Sequence, residues 1–547
     1  MHGRVKVRTT AEQEKIRELE KQKKAAEFRK GVDFVFQKRK NQEWDDEIFL
    51  LTEKLLVRYP DVYTLWNVRR EGFLNNKWSD EDRVERLEKE LILTESSLRE
   101  NPKSYCVWHQ RTWIIEQLPN PNYKRELELC KKCLNLDERN FHCWDYRLFI
   151  VKKANISDQE ELEFTKTKIL NNFSNYSSWH YRSRLLRKLY PSTVHDLPIR
   201  ADKHDEELDL VMNATFTDPN DSSAWFYQRW LLDYWKSPVK LWRVVITDVT
   251  ITAAFHKEVS LDFELLVNGN KIECDWKPAN GKKFCTVWYA ELENCLCDES
   301  SEVLFKFEGS IYSLKILNSF KEWIYQSEKL SGNQNDSKLK EQLENYKVLL
   351  QMEPSNKWAK LTSAHLMLNI NPIDANSDII KELSDLITVD PLRENYYKDM
   401  RSKCILEYCL HAVINDNNKN KVIRNVDLSN LKLTSLSSQE PYLAFLHEVN
   451  LRNNNLENKI FQLYTLQQCR KLDLSNNAVS SLKKFPKMKN LRILLLSNNH
   501  ISESQEILDL VGAHNLEKLN VKGNPIVDID SLVSEIKKLS QTIEVLV

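Results

Sequence analysis

The chain has 547 residues, 41% hydrophobic and 29% charged, the make-up of an ordinary soluble protein with room for three or four domains. Its 80 basic and 80 acidic residues cancel, which excludes a global field for holding nucleic acid or an anionic membrane surface. The opening "MHGRVKVRTTAEQEKIRELEKQKK" is polar where a signal peptide needs an apolar core, and no run reaches the roughly 18 apolar residues of a membrane span, so the chain reads as cytoplasmic with no transmembrane segment.

The first pattern along the chain is a repeat. Trp66, Trp108, Trp144, Trp179 and Trp225 are spaced by 42, 36, 35 and 46 residues, in phrases such as "NPKSYCVWHQR", "ERNFHCWDYR" and "NFSNYSSWHYR". Four residues before the last four tryptophans stand Ser104, Asn140, Asn175 and Asp221, residue types that cap helix N-termini by accepting an orphan backbone N–H. Amphipathic stretches such as "YKRELELCKKCLNL" supply a second helix per unit, so the series predicts an α-solenoid of helix pairs. The tryptophans read as filler between successive pairs. Arg111, Arg147, Arg182 and Arg229 read as surface residues or as inter-repeat ion-pair partners. Cys130 and Cys133 of "CKKC" share a predicted core helix with Leu127 and Leu134, and no second cysteine pair stands at a metal-site spacing.

Over 238–320 the period changes to alternation punctuated by "NGN" and "ANGKK", which predicts an inserted antiparallel β-sandwich. Its lengths suit an immunoglobulin-like domain, but no cysteine–tryptophan–cysteine signature fixes the topology. Cys274, Cys285, Cys295 and Cys297 in this region leave a zinc reading open and unsupported. Looser helical units return over 321–420, at "EPSNKWAKL" with a shifted Trp358 and at "DPLRENYYKDM". From 421 to 547, "LHEVNLRNNNL", "CRKLDLSNNAV", "LRILLLSNNHI" and "LEKLNVKGNPI" are leucine-rich repeats closed by Asn454, Asn477, Asn499 and Asn524. The fold class is therefore mainly α: helical repeats over 1–237 and 321–420, the β-sandwich between them, and a leucine-rich end.

The phrases "PKSYCVWHQR" and "FHCWDYR" resemble the tryptophan repeats of protein prenyltransferase alpha subunits. The order of repeats, insert and leucine-rich end, with "MHGR" and "NFSNYSSWHYRS", is similar to the Rab geranylgeranyl type of that family over nearly the whole chain. The resemblance implies a heterodimer in which the helical crescent wraps a beta subunit that holds zinc and the lipid diphosphate, with magnesium as an optional addition. It implies transfer of geranylgeranyl from geranylgeranyl diphosphate to C-terminal cysteines of Rab GTPases presented by a Rab escort protein. Carried over by motif, Lys103, Tyr105 and His142 are diphosphate-binding residues, Lys103 and His142 being catalytic. Phe141 departs from the tyrosine of the farnesyl type. Lys103 stands just before a capping serine, where its ammonium and the helix N–H groups can converge on an anion. Its other reading is a solvated loop lysine. His2, on a cationic terminal segment, is a candidate displaceable ligand to the partner's zinc, against the plain reading of a terminal histidine. Two alternatives stay open, a farnesyltransferase-type alpha subunit and a non-catalytic scaffold. The Lys103, Tyr105 and His142 set is what a scaffold has no use for.

Overall fold

The computed structural model describes residues 11–192, 197–233, 239, 241–247, 249–292, 301–317, 322–326, 337–414, 424–436 and 440–547. The chain divides into two compact units, Met1–Leu189 and Tyr190–Val547. Among the described residues no helix is long and apolar enough to cross a membrane.

The first unit is helical: α1 (Ala11–Lys40), α2 (Asp46–Arg58), α3 (Tyr63–Asn75), α4 (Asp80–Glu100), α5 (Tyr105–Gln117), α6 (Tyr123–Leu136), α7 (Phe141–Lys153), α8 (Asp158–Asn171) and α9 (Tyr176–Leu189). From α2 onward successive helices pack as pairs. The caps are those the sequence predicts. Ser104 accepts the Val107 N–H, Asn140 that of Cys143, and Asn175 that of Ser178.

The tryptophans do more than fill space. The indole Nε1 of each donates to the carbonyl six residues earlier: Trp66 to Pro60, Trp108 to Pro102, Trp144 to Glu138 and Trp179 to Phe173, at 2.8–2.9 Å. Each ring thus fixes the chain entering its own helix. The next unit can use the same carbonyl, since Pro60 O also accepts from the Ser104 hydroxyl and Pro102 O from Asn140 Nδ2. One backbone oxygen sets the register between neighbours.

The arginines of the repeat are buried, so the surface reading gives way to ion pairing. Arg69 meets Glu90, Arg111 meets Glu126 and Arg147 meets Glu161, each pair buried on both sides. Arg69 and Arg111 also reach back, through Nη1, to the hydroxyl of Thr52 or Thr94 and to the carbonyl of Phe49 or Leu91. Arg182 makes the same backward contacts, to Thr165 and Leu162. Each guanidinium is a clamp between helices rather than a surface charge.

The second unit opens with α10 (Ala201–Thr217) and α11 (Ser222–Asp233), the latter started by Asp221 accepting the Ser223 N–H. Trp225 repeats the indole bond, 3.0 Å to Pro219 O. Arg229 falls one residue past the clamp position, which buried Gln228 holds instead. Ten strands follow: β1 (Leu241–Ile246), β2 (Thr250–Val259), β3 (Phe263–Val267), β4 (Asn270–Ile272), β5 (Lys277–Pro278), β6 (Cys285–Glu291), β7 (Val303–Phe307), β8 (Ser310–Ser313), β9 (Lys315–Leu317) and β10 (Glu322–Gln326). They form antiparallel sheets in the orders β5-β6-β2-β1-β10-β9 and β4-β3-β7-β8, around an aromatic core that includes Phe255, Phe263, Trp288 and Phe305. Cys274 and Cys285 lie in this region, half-buried and buried, while Cys295 and Cys297 lie outside the described residues.

Helices then resume: α12 (Ser337–Met352), α13 (Lys357–Ile370), α14 (Asn376–Val389) and α15 (Glu394–Ile414). Asn356 caps α13 and sends Nδ2 to Pro219 O at 3.0 Å. The helix pair after the insert therefore stacks on the pair before it by the same shared-carbonyl bond used between Asn140 and Pro102. Lys360, four residues after the capping Asn356, occupies the tryptophan position of this unit and pairs with Glu382 and Asp385, and Trp358 stands two residues before it.

The end of the chain is a parallel ladder of short strands, β11 (Asn425–Asp427), β12 (Glu448–Asn450), β13 (Lys471–Asp473), β14 (Ile493–Leu495), β15 (Lys518–Asn520) and β16 (Glu544–Leu546). The asparagines bond the turning backbone as their spacing predicts. Asn499, for example, donates to Leu474 O and Leu496 O and accepts the N–H groups of Asn477 and Val479. Within this unit the sandwich and the repeats meet: Trp242 of β1 packs on Tyr442 and Phe445, with ring centroids 4.6 and 5.7 Å apart. Arg424 links to Glu322 of β10 and, at 3.1 Å, to His447.

Candidate functional site

The predicted site residues lie where α4 turns into α5 and α6 into α7. At each such turn the residue that closes the earlier helix is Asn or Asp, and its side chain accepts the N–H two residues on. Asn101 holds Lys103, Asp137 holds Arg139, and Asn172 holds Ser174, at 3.0–3.1 Å. These turn residues are spaced by 36 and 35 positions, the interval of the tryptophans, which is the signal that could have found them. Each of these three turns thus presents one side chain at a fixed backbone position, and in the first of them that side chain is Lys103.

Lys103 is 63% exposed and its Nζ lies 3.0 Å from the Asp137 carboxylate. Burial pushes the Asp137 carboxyl up, but the hydrogen bond from Lys103 and the Arg139 N–H hold it below the ordinary carboxylate range. Arg139, at the same position one unit on, is turned away to the Ser174 carbonyl. Tyr105 begins α5 and is 68% exposed. Its ring stands edge-on to His142, the centroids 4.1 Å apart. His142, in the first turn of α7, is only 7% exposed. Burial lowers its imidazole below the usual histidine range, and the Lys103 charge pushes the same way against Asp145, so the ring is neutral near pH 7.

Lys103, Tyr105 and His142 are therefore brought together, as one ammonium, one phenol and one neutral imidazole. A set of donors on an exposed edge suits an anion with several oxygens. His2 lies outside the described residues. Among the described residues no three His, Cys, Asp or Glu side chains gather where they could hold a metal ion.

Two features of this edge escaped the sequence reading. Asp137, the counter-charge to Lys103, is one. The other is a row of exposed rings at the first position of the second helix of each pair: Tyr63 on α3, Tyr105 on α5, Phe141 on α7 and Tyr176 on α9. Together they make a largely apolar strip of half-exposed rings at one repeated register, of the composition that interfaces use.

Comparison with known proteins adds family evidence. The model described as "Protein prenyltransferase alpha subunit repeat" matches residues 87–118, 123–154, 158–189 and 204–235, each range ending within one of the helix pairs α4/α5 to α10/α11 or just past it. The protein named "Geranylgeranyl transferase type-2 subunit alpha" of Homo sapiens is 35% identical over 564 residues, covering 98% of this chain and 98% of its own. Its namesake in Dictyostelium discoideum is 40% identical over 241 residues, 43% of this chain and 76% of that one. A solved structure titled "Candida albicans protein geranylgeranyltransferase-I complexed with GGPP" aligns with 69% of this chain and 91% of that chain at 17% identity, with a TM-score of 0.42.

Proposed function

We propose a function from one premise: this chain belongs to the family of geranylgeranyl transferase type-2 alpha subunits. As one half of a heterodimer, it transfers geranylgeranyl from geranylgeranyl diphosphate to cysteine thiols at the C-termini of Rab GTPases, presented by a Rab escort protein. The observation that carries this reading is the edge shared by Lys103, Tyr105 and His142. The cysteine sulfur bonds to the allylic carbon as the carbon–oxygen bond to diphosphate breaks, and the thiol proton passes to solvent. A zinc ion, if held by the beta partner, would lower the pKa of the thiol; among the described residues of this chain no group could hold it. This chain's residues act on the leaving group. Lys103 meets charge that accumulates on the diphosphate in the transition state, which is where a preorganised cation is worth most. Tyr105 and neutral His142 each donate one hydrogen bond.

The test is rapid-quench transfer to an escort-bound Rab. Lys103→Ala should slow the single-turnover rate roughly 10²-fold, about 2.7 kcal/mol, by analogy with removal of one preorganised donor, while diphosphate affinity falls less. His142→Ala should cost less than Lys103→Ala. A Lys103→Ala heterodimer that assembles normally and transfers at the parent rate returns Lys103 to the solvated-loop reading.

A further inference from the structure

The seam between the β-sandwich and the leucine-rich repeats encloses a guanidinium that lacks a counter-charge. Arg243 stands on β1 and is only 9% exposed. Its Cζ lies 5.0 Å from the ring centroid of Phe445 and 5.9 Å from that of Trp242, so aromatic faces close it in. Its Nε is sealed from solvent and has no hydrogen-bond partner among the described residues. The carboxylate whose charge reaches it, Glu322 on β10, is bonded instead to Arg424. Arg424 also donates to His447 Nε2 at 3.1 Å, an acceptor that brings no negative charge. Two guanidinium groups therefore share one carboxylate.

The repeats do not supply the missing charge at this level. Arg424, His447, Arg470 and Arg492 stand at one register, each N–H donating to the carbonyl of the residue before it in the row, at 2.6–2.8 Å. The first acidic member of that row is Glu517, next after Arg492. Burial, with the Arg424 charge acting the same way and Glu322 against it, lowers the Arg243 guanidinium to about 10, so it stays charged near neutral pH. A charge buried without a partner is costly, and proteins normally pair it.

We propose that Arg243 anchors a binding site for a carboxylate at this seam. One uncompensated positive charge is balanced by one negative charge, which selects a carboxylate over a phosphate dianion. The edge formed by Nε and a terminal nitrogen can donate to both carboxylate oxygens at once. Trp242 and Phe445 keep out water that would screen the pair. A free small acid and an acidic side chain of a protein partner are two sources of this one group.

Isothermal titration calorimetry of the full chain in a chloride-poor buffer tests this with acetate, a capped pentapeptide carrying one central glutamate, and inorganic phosphate. The expected result is saturable one-to-one binding of acetate or the peptide, weakened roughly tenfold or more in Arg243→Met. Arg243→Lys keeps the charge without the planar fork and should fall between the two, and it carries the test should Arg243→Met fail to fold. Arg492→Met, which changes a guanidinium that already donates to Asn515 O at 3.0 Å, should bind as the parent does. Tighter binding of the peptide than of acetate assigns the carboxylate to a protein partner, and the reverse assigns it to a free acid. Phosphate binding more tightly than both carboxylates, absence of saturable carboxylate binding, or binding that the Arg243 variants leave intact overturns the proposal.

Discussion

At the scale of single residues, Asp137 governs how much charge Lys103 offers. Their 3.0 Å contact partly neutralises the ammonium until an anion competes for it. Asp137→Asn keeps an oxygen to accept the Arg139 N–H and removes the negative charge. Geranylgeranyl diphosphate affinity of the heterodimer, followed by fluorescence titration, should rise a few-fold, and the gain should vanish in Lys103→Ala/Asp137→Asn. An unchanged affinity in the single variant would take Lys103 out of contact with the diphosphate. His447 gives a pH prediction of definite sign. Burial and the nearby Arg424 and Arg470 charges lower its imidazole to about 4, and its neutral ring nitrogen faces Arg424 at 3.1 Å. In the unfolded chain it titrates near the ordinary histidine value of about 6.5. Stability from this group is therefore complete above about 6.5 and is lost as pH falls toward 4, where the unfolded state binds the extra proton first. Urea unfolding at pH 7 and pH 5 should show the decline, and His447→Gln should flatten it. Nothing in the sequence distinguishes His447 from a surface residue, because it owes its state to charges brought near it by other repeats, and the spacing that marks Asp137 as a turn residue does not reveal its pairing with Lys103.

At the scale of elements, the legible and the hidden parts of each repeat differ for a chemical reason. Helix starts were legible because capping needs particular side chains, and Ser104, Asn140, Asn175 and Asp221 are such residues. The leucine-rich end was legible because Asn454, Asn477, Asn499 and Asn524 each use both ends of an amide that few residues can replace. The indole bonds were not, since their acceptors are backbone carbonyls, which Pro102, Glu138 and Phe173 offer equally well. The arginine clamps were legible in part: the sequence left a surface role and inter-repeat ion pairing both open, and only the stacked helices show Arg111 enclosed by Glu126, Thr94 and Leu91 O. Asn140 tests the shared-carbonyl register directly. Asn140→Asp retains a capping oxygen but loses the Nδ2 donor to Pro102 O, and should cost about 1 kcal/mol in urea unfolding. Asn140→Ala loses both roles and should cost about 2 kcal/mol. Equal losses in the two variants would mean that the donor contributes nothing.

At the scale of the whole molecule, the candidate contacts all lie before residue 150, whereas the leucine-rich repeats are bound into the second unit. A chain ending near residue 418 should retain single-turnover transfer within a few-fold on a presented Rab. It should also melt lower and aggregate more readily, because Trp242 loses Tyr442 and Phe445 and Glu322 loses Arg424. Loss of the chemical step in a folded truncation would place part of the machinery in the repeats. The bond between Asn356 and Pro219 has a bearing on how such a chain can be assembled at all. It joins residues 137 positions apart, where Asn140 and Pro102 are 38 apart. Loop-closure entropy grows only with the logarithm of length, so the longer circuit costs about 1 kcal/mol more than the shorter one. A stack held by one repeated local bond can therefore be opened between two units, receive an entire foreign domain, and close again with almost no thermodynamic memory of the interruption.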